Sequence, residues 1–356
     1  MNKLEVVQNK GLRLITGQTK STPVEALRLE AGTVSYSTIS QRHTLISYEK
    51  AARLPRGHPR RELLEASVPK RNQRNSWRST GQQLAKLLPD CSADRAPIPL
   101  PSRPPWSPKG PYSIYASIPG VKRKDDVNPE ELRKTSLDCL AGYDADCIIY
   151  TDGSASAGTS NGGSAAVVAD TNLLDPTVTT RLHARGASLT SSFEEEYCAM
   201  LSAVSWCVEF QSPSSHVLIA TDSQSLCQAL RGFNPSLDAL RCQLDMCPGP
   251  VTIQWVPGHA DIPGNELVDL EAKAATSLEE PQRAVSFKSV HAAITSSVKD
   301  NPQTHPRTAE VYSQLSTTRE KQIKSHAEQK MLARIYSEVS EMNNKKERNM
   351  ETSFGS

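Results

Sequence analysis

The central part of the chain, residues 145–276, carries the densest alternation of apolar and polar segments. Short apolar runs typical of buried strands alternate there with amphipathic stretches typical of helices. The predicted strands are 147–150, 164–169, 178–189, 217–220 and 251–256. The predicted helices are 191–210, 223–230, 236–246 and 263–275. This order predicts an α/β fold in which helices flank a five-stranded mixed sheet.

The segments on either side of this core have weaker patterns. Apolar residues recur at helical spacing upstream, so residues 1–90 are predicted to be a helical, basic segment. Seven of the chain's 24 prolines lie in residues 97–111. Such a density excludes a helix or a central strand, so residues 91–144 are predicted to be a Pro-rich linker. Residues 277–356 are polar with few apolar positions, which predicts a tail that is helical or disordered.

The formal net charge of +2 hides a separation of charge along the chain. Residues 1–146 carry 24 Lys and Arg against 15 Asp and Glu, whereas residues 147–276 carry 5 against 14. A basic segment is the usual electrostatic footprint of nucleic-acid binding, so we expect a polyanionic partner. The acidic charge of the central segment has two interpretations, bound divalent cations or solubility alone.

Several classes of protein are excluded by the sequence. No run of 18 apolar residues is present, and the N-terminus has no apolar signal-like stretch. We therefore expect neither a membrane span nor a secretory signal. The eight cysteines form no Cys-x-x-Cys pair, so no zinc site is expected. Most lie in apolar runs and are interpreted as reduced packing residues of an intracellular protein.

Four acidic residues lie at or near the ends of predicted elements: Asp152, Glu196, Asp222 and Asp269. Each one alone has a simpler interpretation. Asp152 could belong to a hairpin turn, and Asp222 could cap the helix that follows it. Glu196 could simply interact with the positive N-terminal end of a helix. Asp269 could form a solvated pair with the lysine four residues later.

Taken together, the four acids indicate a metal site. If the first and fourth strands are neighbours, Asp152 and Asp222 meet at one sheet edge, where packed helices can bring Glu196 and Asp269. Clustered carboxylates repel one another, and divalent cations relieve that repulsion. Mg²⁺ prefers oxygen ligands, and a pair of such ions can hold both the attacking water and the leaving oxygen of a phosphodiester. The sequence therefore predicts a nuclease with two Mg²⁺ ions, for which Mn²⁺ is the substitute.

The same residues resemble type 1 ribonuclease H. The matching motifs are Thr151-Asp-Gly-Ser154, Glu196 at the head of a helix, Thr221-Asp-Ser223, and Gly258-His259 with Asp269 ten residues later. The strings Trp255-Val-Pro-Gly-His-Ala-Asp-Ile-Pro-Gly-Asn-Glu-Leu-Val-Asp269 and Ser191-Ser-Phe-Glu-Glu-Glu-Tyr197 are similar to the version found in non-LTR retrotransposon polyproteins. Upstream, residues 4–17, Thr22-Pro23, Glu30-Ala-Gly32 and Gln41-Arg42 resemble the segment after the reverse-transcriptase palm, most of all in ingi-type elements.

This resemblance implies a ribonuclease H-like fold and an endonuclease that hydrolyses the RNA strand of an RNA–DNA hybrid. The products would carry 5′-phosphate and 3′-hydroxyl ends. The resemblance assigns Asp152, Glu196, Asp222 and Asp269 as metal ligands. His259, on a mobile loop, would assist proton movement or product release.

The resemblance also implies contacts with the hybrid. Gly153, Ser154 and Ser192 match positions that touch the hybrid and its 2′-hydroxyl groups in relatives. The identity of the ligand within Glu194–Glu196 is open at this point. We choose the last of these glutamates, because Ala199 then falls where relatives place a small residue.

The resemblance leaves the context and the competence of the chain open. It implies that the chain is part of a larger polyprotein. No Tyr-x-Asp-Asp motif is present, so DNA synthesis is not expected. One alternative is a catalytically inactive, nucleic-acid-binding remnant of a retroelement. Another is a nuclease or recombinase of the same fold that cuts DNA, and the spacing from His259 to Asp269 weighs against it.

Overall fold

The computed structural model describes most of the chain up to residue 298. The described residues are 2–66, 76–86, 88, 95–98, 106, 110–121, 127–232, 234–279 and 283–298. They divide into two compact units that do not follow chain order. The first unit holds those within Met1–Tyr48, Pro69–Leu87 and Ile294–Ser356, and the second holds those within Glu49–Val68 and Leu88–Ala293. The predicted domain limits stay predictions, and most of the predicted polar tail lies outside the described residues.

The upstream segment contains five helices, which confirms the predicted helical segment. They are α1 (Asn2–Thr16), α2 (Val24–Glu30), α3 (Tyr36–Ala52), α4 (Pro59–Glu65) and α5 (Trp77–Ala85). Within the first unit, Gln8 of α1 binds the start of α3 through its side-chain amide. Its nitrogen donates to the Val34 carbonyl at 2.8 Å, and its oxygen accepts from the Tyr36 amide at 2.8 Å. Both halves of one amide are therefore satisfied by backbone groups.

The second unit is built on one mixed sheet. Its strands are β1 (Tyr112–Tyr115), β2 (Cys147–Ser156), β3 (Ser160–Ala169), β4 (Val178–Arg185), β5 (Val217–Thr221) and β6 (Val251–Trp255), in the order β1-β6-β5-β2-β3-β4. Strands β1, β6, β5 and β2 run parallel to one another. Strand β3 is antiparallel to β2, and β4 is antiparallel to β3. The predicted α/β fold with a mixed sheet is confirmed.

The prediction of five strands was wrong, because a sixth strand lies inside the segment assigned to the linker. Strand β1 begins directly after Pro111 and pairs with β6 at the sheet edge. A helix also lies there, α6 (Pro129–Ala141), with Asn128 as its N-cap. The proline density that excludes regular structure ends at Pro111. Extending the linker to residue 144 overlooked both the four-residue edge strand and the Asn-Pro helix start.

Helices cover both faces of the sheet. They include α7 (Ser192–Phe210), α8 (Gln224–Arg231), α9 (Asp238–Met246) and α10 (Pro263–Ala275), with a 3₁₀ turn at Pro235–Leu237. A further helix, α11 (Phe287–Ser297), follows α10 in the chain. Ile149 and Ile219 join the core formed with α7, α8 and α9, whereas Tyr150 and Leu218 join the core formed with α6 and α10. Central strands buried on both faces explain the continuous apolar runs in the sequence.

No helix in the described part of the chain is long and apolar enough to cross a membrane. The longest helix of the second unit, α7, instead carries both buried apolar residues and glutamates. Its buried apolar residues pack against β2 and β3.

Strands β2 and β3 are longer than predicted and form a hairpin. The turn falls at Ala157 and Gly158, whose φ angles are 50° and 71°. Asp152 pairs with Ala165 inside the ladder. The interpretation of Asp152 as a turn residue is therefore wrong, because the strand continues four residues beyond it.

Helix α10 packs on β2 through a position without a side chain. A Cβ atom at Gly264 would lie 2.2 Å from the Cε2 and Cζ atoms of Tyr150, whose side chain is fully buried. We expect Gly264→Ala to lower the free energy of unfolding by about 1–3 kcal/mol, because neither ring nor helix can move aside. Urea unfolding measures the effect.

Gly142→Ala is the matched control. Gly142 caps α6 with φ at −70°, and a Cβ there would come no closer than 3.4 Å to another atom. We expect its free energy of unfolding to stay within about 0.5 kcal/mol of the wild type. Equal unfolding midpoints for the two variants would contradict the packing described for α10.

Candidate active site

Two aspartates lie side by side because of the strand register. The parallel pairing of β2 with β5 ends at Thr151 and Thr221. Asp152 and Asp222 are the next residue on each strand, so they emerge at the same edge of the sheet. The expected pairing of the first and fourth predicted strands is present, and it brings these two carboxylates together.

Helix α7 adds a third carboxylate from above the sheet. Ser191 caps the helix, and its side chain accepts a hydrogen bond from the Glu194 amide at 3.3 Å. A Cβ at Gly153 would lie only 2.2 Å from the Glu196 nitrogen, so glycine is what lets the helix come this close. Oxygen atoms of Asp152, Glu196 and Asp222 lie within 4.8 Å of one another.

The three consecutive glutamates of α7 point to different places. Glu196 faces the two aspartates. The Oε1 atom of Glu195 accepts hydrogen bonds from Thr190 at 2.5 Å and from Arg283 at 2.7 Å. Glu194 binds two serines that follow α10. The structure thus places Glu196, the glutamate chosen from the sequence, in the cluster.

A second group surrounds Asp269 on α10. His259, Glu266 and Asp269 each offer a ligand atom within 4.8 Å of the others. Glu266 was not predicted, although its position three residues before Asp269 puts both on one face of a helix. Asp269 also accepts a hydrogen bond from Lys273 at 2.5 Å. The i+4 pair considered as an alternative is therefore present beside the cluster.

His259 is exposed and lies on the loop between β6 and α10. Its φ angle is 56°, and that of Asp261 is 52°, so two residues of this loop adopt the left-handed conformation. The loop also closes on Asp222, since a Cβ at Gly258 would lie 2.6 Å from its Oδ2 atom. Trp255 donates its ring N–H to the Asp222 carbonyl at 3.1 Å. Sequence reasoning missed these supports of Asp222.

Electrostatic coupling joins the two groups into one site. Burial, together with the charges of Asp222 and Asp269, raises the pKa of Asp152 to about 7. Burial also raises the pKa of Glu196 well above its ordinary value, with Asp152 and Asp222 adding to the effect. Burial raises the pKa of Asp222, against the lowering effects of the Glu196 hydrogen bond and of His259, and Asp269 raises it again. Asp269 therefore acts on both aspartates, which in turn act on Glu196.

The donor atoms of this cluster fit a divalent cation. Asp152 and Glu196 are buried, and the Glu196 Oε2 atom has no hydrogen-bond partner among the described residues. A buried carboxylate oxygen without a partner is costly unless a cation balances it. Oxygen-only ligands of this kind suit Mg²⁺ or Mn²⁺.

The three residues predicted to contact the hybrid lie near this cluster. Ser154 follows Asp152 by two residues on β2, so the two side chains share a face of the sheet. Ser192 is exposed at the first turn of α7, and a Cβ at Gly158 would lie 3.7 Å from its hydroxyl oxygen. Helix α7 packs closely against Gly153. Their contacts with a hybrid stay predictions.

Comparisons with known proteins show what this segment is similar to. Residues 144–277 match the family model of RNase H. A search of curated proteins finds no match to the chain. Among solved structures, RNase H1 from the halophilic archaeon Halobacterium salinarum is 18% identical, over 36% of this chain and 96% of that chain, with a TM-score of 0.30.

Two further solved structures are similar at the same level. LC11-RNase H1 in complex with an RNA/DNA hybrid is 20% identical, over 37% of this chain and 99% of that chain, with a TM-score of 0.30. The foamy viral protease-reverse transcriptase in complex with double-stranded DNA is 20% identical, over 38% and 96%, with a TM-score of 0.31. The segment that matches the family model contains all four acids and His259.

Removing one charge from the cluster should stabilise the metal-free protein. A carboxyl group whose pKa is raised on folding destabilises the folded state once pH exceeds the unfolded pKa, and Asp152 reaches its full penalty above about pH 7. In chelator at pH 8, we expect Asp152→Asn to raise the free energy of unfolding by an amount on the order of 2 kcal/mol. With Mg²⁺ added, the wild type should gain thermal stability and Asp152→Asn should not.

Asp175→Asn is the control, because Asp175 is an exposed acid in the connection between β3 and β4. It should leave both the stability in chelator and the gain with Mg²⁺ unchanged. Thermal unfolding in chelator and in Mg²⁺ measures all three proteins. An Asp152→Asn protein that is less stable than the wild type in chelator at pH 8 would contradict the described repulsion.

Proposed function

From the RNase H domain formed by residues 144–277, we infer that the protein is an endoribonuclease acting on RNA–DNA hybrids. It hydrolyses the RNA strand and leaves 5′-phosphate and 3′-hydroxyl ends. The observation that carries this proposal is the convergence of Asp152, Glu196 and Asp222 within 4.8 Å, with Asp269 electrostatically coupled to them. Such a cluster of desolvated acids is typical of a metal-dependent phosphodiesterase site.

The four carboxylates would hold two Mg²⁺ ions, or Mn²⁺ in their place. When bound, these ions lower the pKa of water and neutralise charge that develops on the phosphodiester oxygens. The protein's contribution is to hold the ligands in advance. Asp152 and Asp222 are fixed by the β2–β5 ladder, and Glu196 is fixed by the contact of α7 with Gly153.

His259 is suited to carry a proton between the site and solvent. It is exposed, and one of its ring nitrogens lies within 4.8 Å of carboxylate oxygens of Glu266 and Asp269. An imidazole can both accept and donate a proton, which suits this side chain to proton transfer during turnover.

Recognition of the hybrid is assigned to hydroxyl groups around the cluster. Ser154 and Ser192 present hydroxyls that can hydrogen-bond to sugar or phosphate oxygens, and the half-buried backbone of Gly153 is the third proposed contact. The 2′-hydroxyl group is the feature that distinguishes RNA from DNA at such a site. The basic charge of residues 1–146 supports added contacts with phosphates.

The proposed context is an intracellular polyprotein of a non-LTR, ingi-like retrotransposon. Its support is the motif resemblance of residues 4–42 to the segment after a reverse-transcriptase palm, together with a ribonuclease H domain downstream. In such an element, hybrid cleavage would follow synthesis of the first DNA strand.

Asp222→Asn tests the proposal. The amide keeps the shape of the side chain but removes a ligand charge, so we expect hybrid cleavage to fall by more than about a hundredfold. Hybrid binding should persist, because phosphate contacts elsewhere carry most of the affinity. Cleavage of labelled RNA–DNA hybrid, duplex DNA and duplex RNA is measured in Mg²⁺, in Mn²⁺ and in chelator.

The outcomes separate the candidate functions. We expect the wild type and the Asp175→Asn control to cleave the RNA strand of the hybrid and neither duplex DNA nor duplex RNA. This cleavage should require a divalent cation. Retained turnover in Asp222→Asn would refute the assignment of that residue. A wild type that binds the hybrid but cleaves nothing would favour the inactive remnant, and cleavage of duplex DNA would favour a DNA nuclease.

A further inference from the structure

The segment after α10 binds the helix that carries Glu196. Residues 144–277 match the RNase H family, and residues 283–289 lie beyond that match. Two of the three consecutive glutamates at the start of α7 nevertheless bind this segment, Glu195 through Arg283 and Glu194 through Ser286 and Ser289. Only Glu196 remains for the carboxylate cluster.

Glu195 is buried, and Arg283 is its counter-ion. The side chain of Glu195 is fully buried. Cβ atoms at Gly162 and Gly186 would lie 2.1 Å and 2.5 Å from its Oε1 atom, so the carboxylate lies directly against two glycines of β3 and the end of β4. Arg283 approaches the same oxygen at 2.7 Å. A buried carboxylate that loses its cation is strongly destabilised, so this pair holds both of its members in place.

The position of Glu195 determines the position of Glu196. The peptide that joins them packs on Gly153, where a Cβ would lie 2.3 Å from the Glu195 carbonyl carbon and 2.2 Å from the Glu196 nitrogen. Gly153 directly follows Asp152. A shift of the Glu195 carboxylate would therefore move a peptide in contact with both sides of the metal cluster.

Further contacts fix the segment along α7. The Oε2 atom of Glu194 accepts hydrogen bonds from Ser286, at 2.9 Å, and from Ser289. The Lys288 ammonium lies 3.9 Å from the centre of the Phe193 ring, a favourable cation–π distance. Three successive side chains of α7 thus bind residues 283–289.

The other side of the segment is held by upstream residues of the same compact unit. Val285 forms a β-bridge with Arg95, and its carbonyl accepts from the Ala96 amide at 3.0 Å and from the buried Arg53 guanidinium. Glu49 pairs with Arg95 at 2.9 Å. The segment therefore lies between α7 and these residues, which restricts its movement.

We propose that residues 283–289 are a functional part of the nuclease and that Arg283 is a positioning residue, which keeps Glu196 in the carboxylate cluster through its ion pair with buried Glu195. The inference rests on the proposed function for its kinetic consequence. Its structural consequence, a dependence of cation binding on Arg283, can be measured without any cleavage.

The test compares Arg283→Met, Arg283→Lys and the wild type in the full chain. We expect Arg283→Met to lower kcat on the hybrid about tenfold with KM unchanged, because a misplaced ligand affects the chemical step more than binding. The Mn²⁺ concentration that gives half of the thermal stabilisation should rise severalfold in this variant. Arg283→Lys keeps the charge and one donor, so it should recover most of both losses.

Arg181→Met is the matched control. Arg181 forms a comparable pair with Glu271 at 2.8 Å, but its side chain is half exposed and neither residue touches the cluster. Its kcat and Mn²⁺ dependence should stay within about twofold of the wild type, as expected for an exposed pair. If Arg283→Met does not fold, the double variant Ser286→Ala/Ser289→Ala is measured instead, since it removes the contacts of the segment with Glu194 and leaves buried Glu195 paired.

The outcomes distinguish failure of the positioning role of Arg283 from failure of the proposed function. Unchanged kcat and unchanged Mn²⁺ dependence in the Arg283→Met or double-serine protein would overturn the inference while the proposed function stands. Equal losses in Arg283→Lys and Arg283→Met would also overturn it, because charge would not be what positions Glu196. A wild type that binds Mn²⁺ but cleaves no hybrid would refute the proposed function, whereas the Mn²⁺ titration would still decide the positioning role.

Discussion

The main physical constraint on this structure is that it holds together desolvated carboxylates that repel one another. Asp152, Glu196 and Asp222 are held within 4.8 Å of one another, and Asp269 is close enough to raise the pKa values of both aspartates. Such an arrangement costs folding free energy in the absence of cations. It persists because the strands, the helix and the loop that carry these residues are fixed by contacts elsewhere in the domain.

Close backbone approach supplies much of that fixation. Because Gly153 has no side chain, α7 can pack against the edge of the sheet. In the same way, Gly258 lets the loop that carries His259 pack against Asp222, and Gly264 lets α10 pack against Tyr150. At each of these positions a Cβ atom would overlap its neighbour at 2.6 Å or less. Carboxylates that would otherwise separate are therefore anchored in part by close backbone contacts. Such preorganised ligands lower the cost of binding a cation.

Much of the fold could be predicted because the central strands are buried on both faces and appear as apolar runs. The meeting of Asp152 and Asp222 followed from pairing the first and fourth predicted strands. Strand β1 was missed because it is short, lies at the sheet edge and follows a proline-rich stretch. Glu266 could have been found from its helical spacing to Asp269. The pair of Glu195 with Arg283 could not, since 88 residues separate them and no local pattern marks the contact.

The most direct measurement of the central claim is the location of Mn²⁺ in crystals of the protein, from its anomalous scattering. The account predicts a Mn²⁺ site bounded by carboxylate oxygens of Asp152, Glu196 and Asp222, and a second site that shares an aspartate with the first and includes Asp269. Crystals in saturating Mn²⁺ with no ion at these carboxylates, or with either Asp152 or Asp222 turned away from a bound ion, would contradict it.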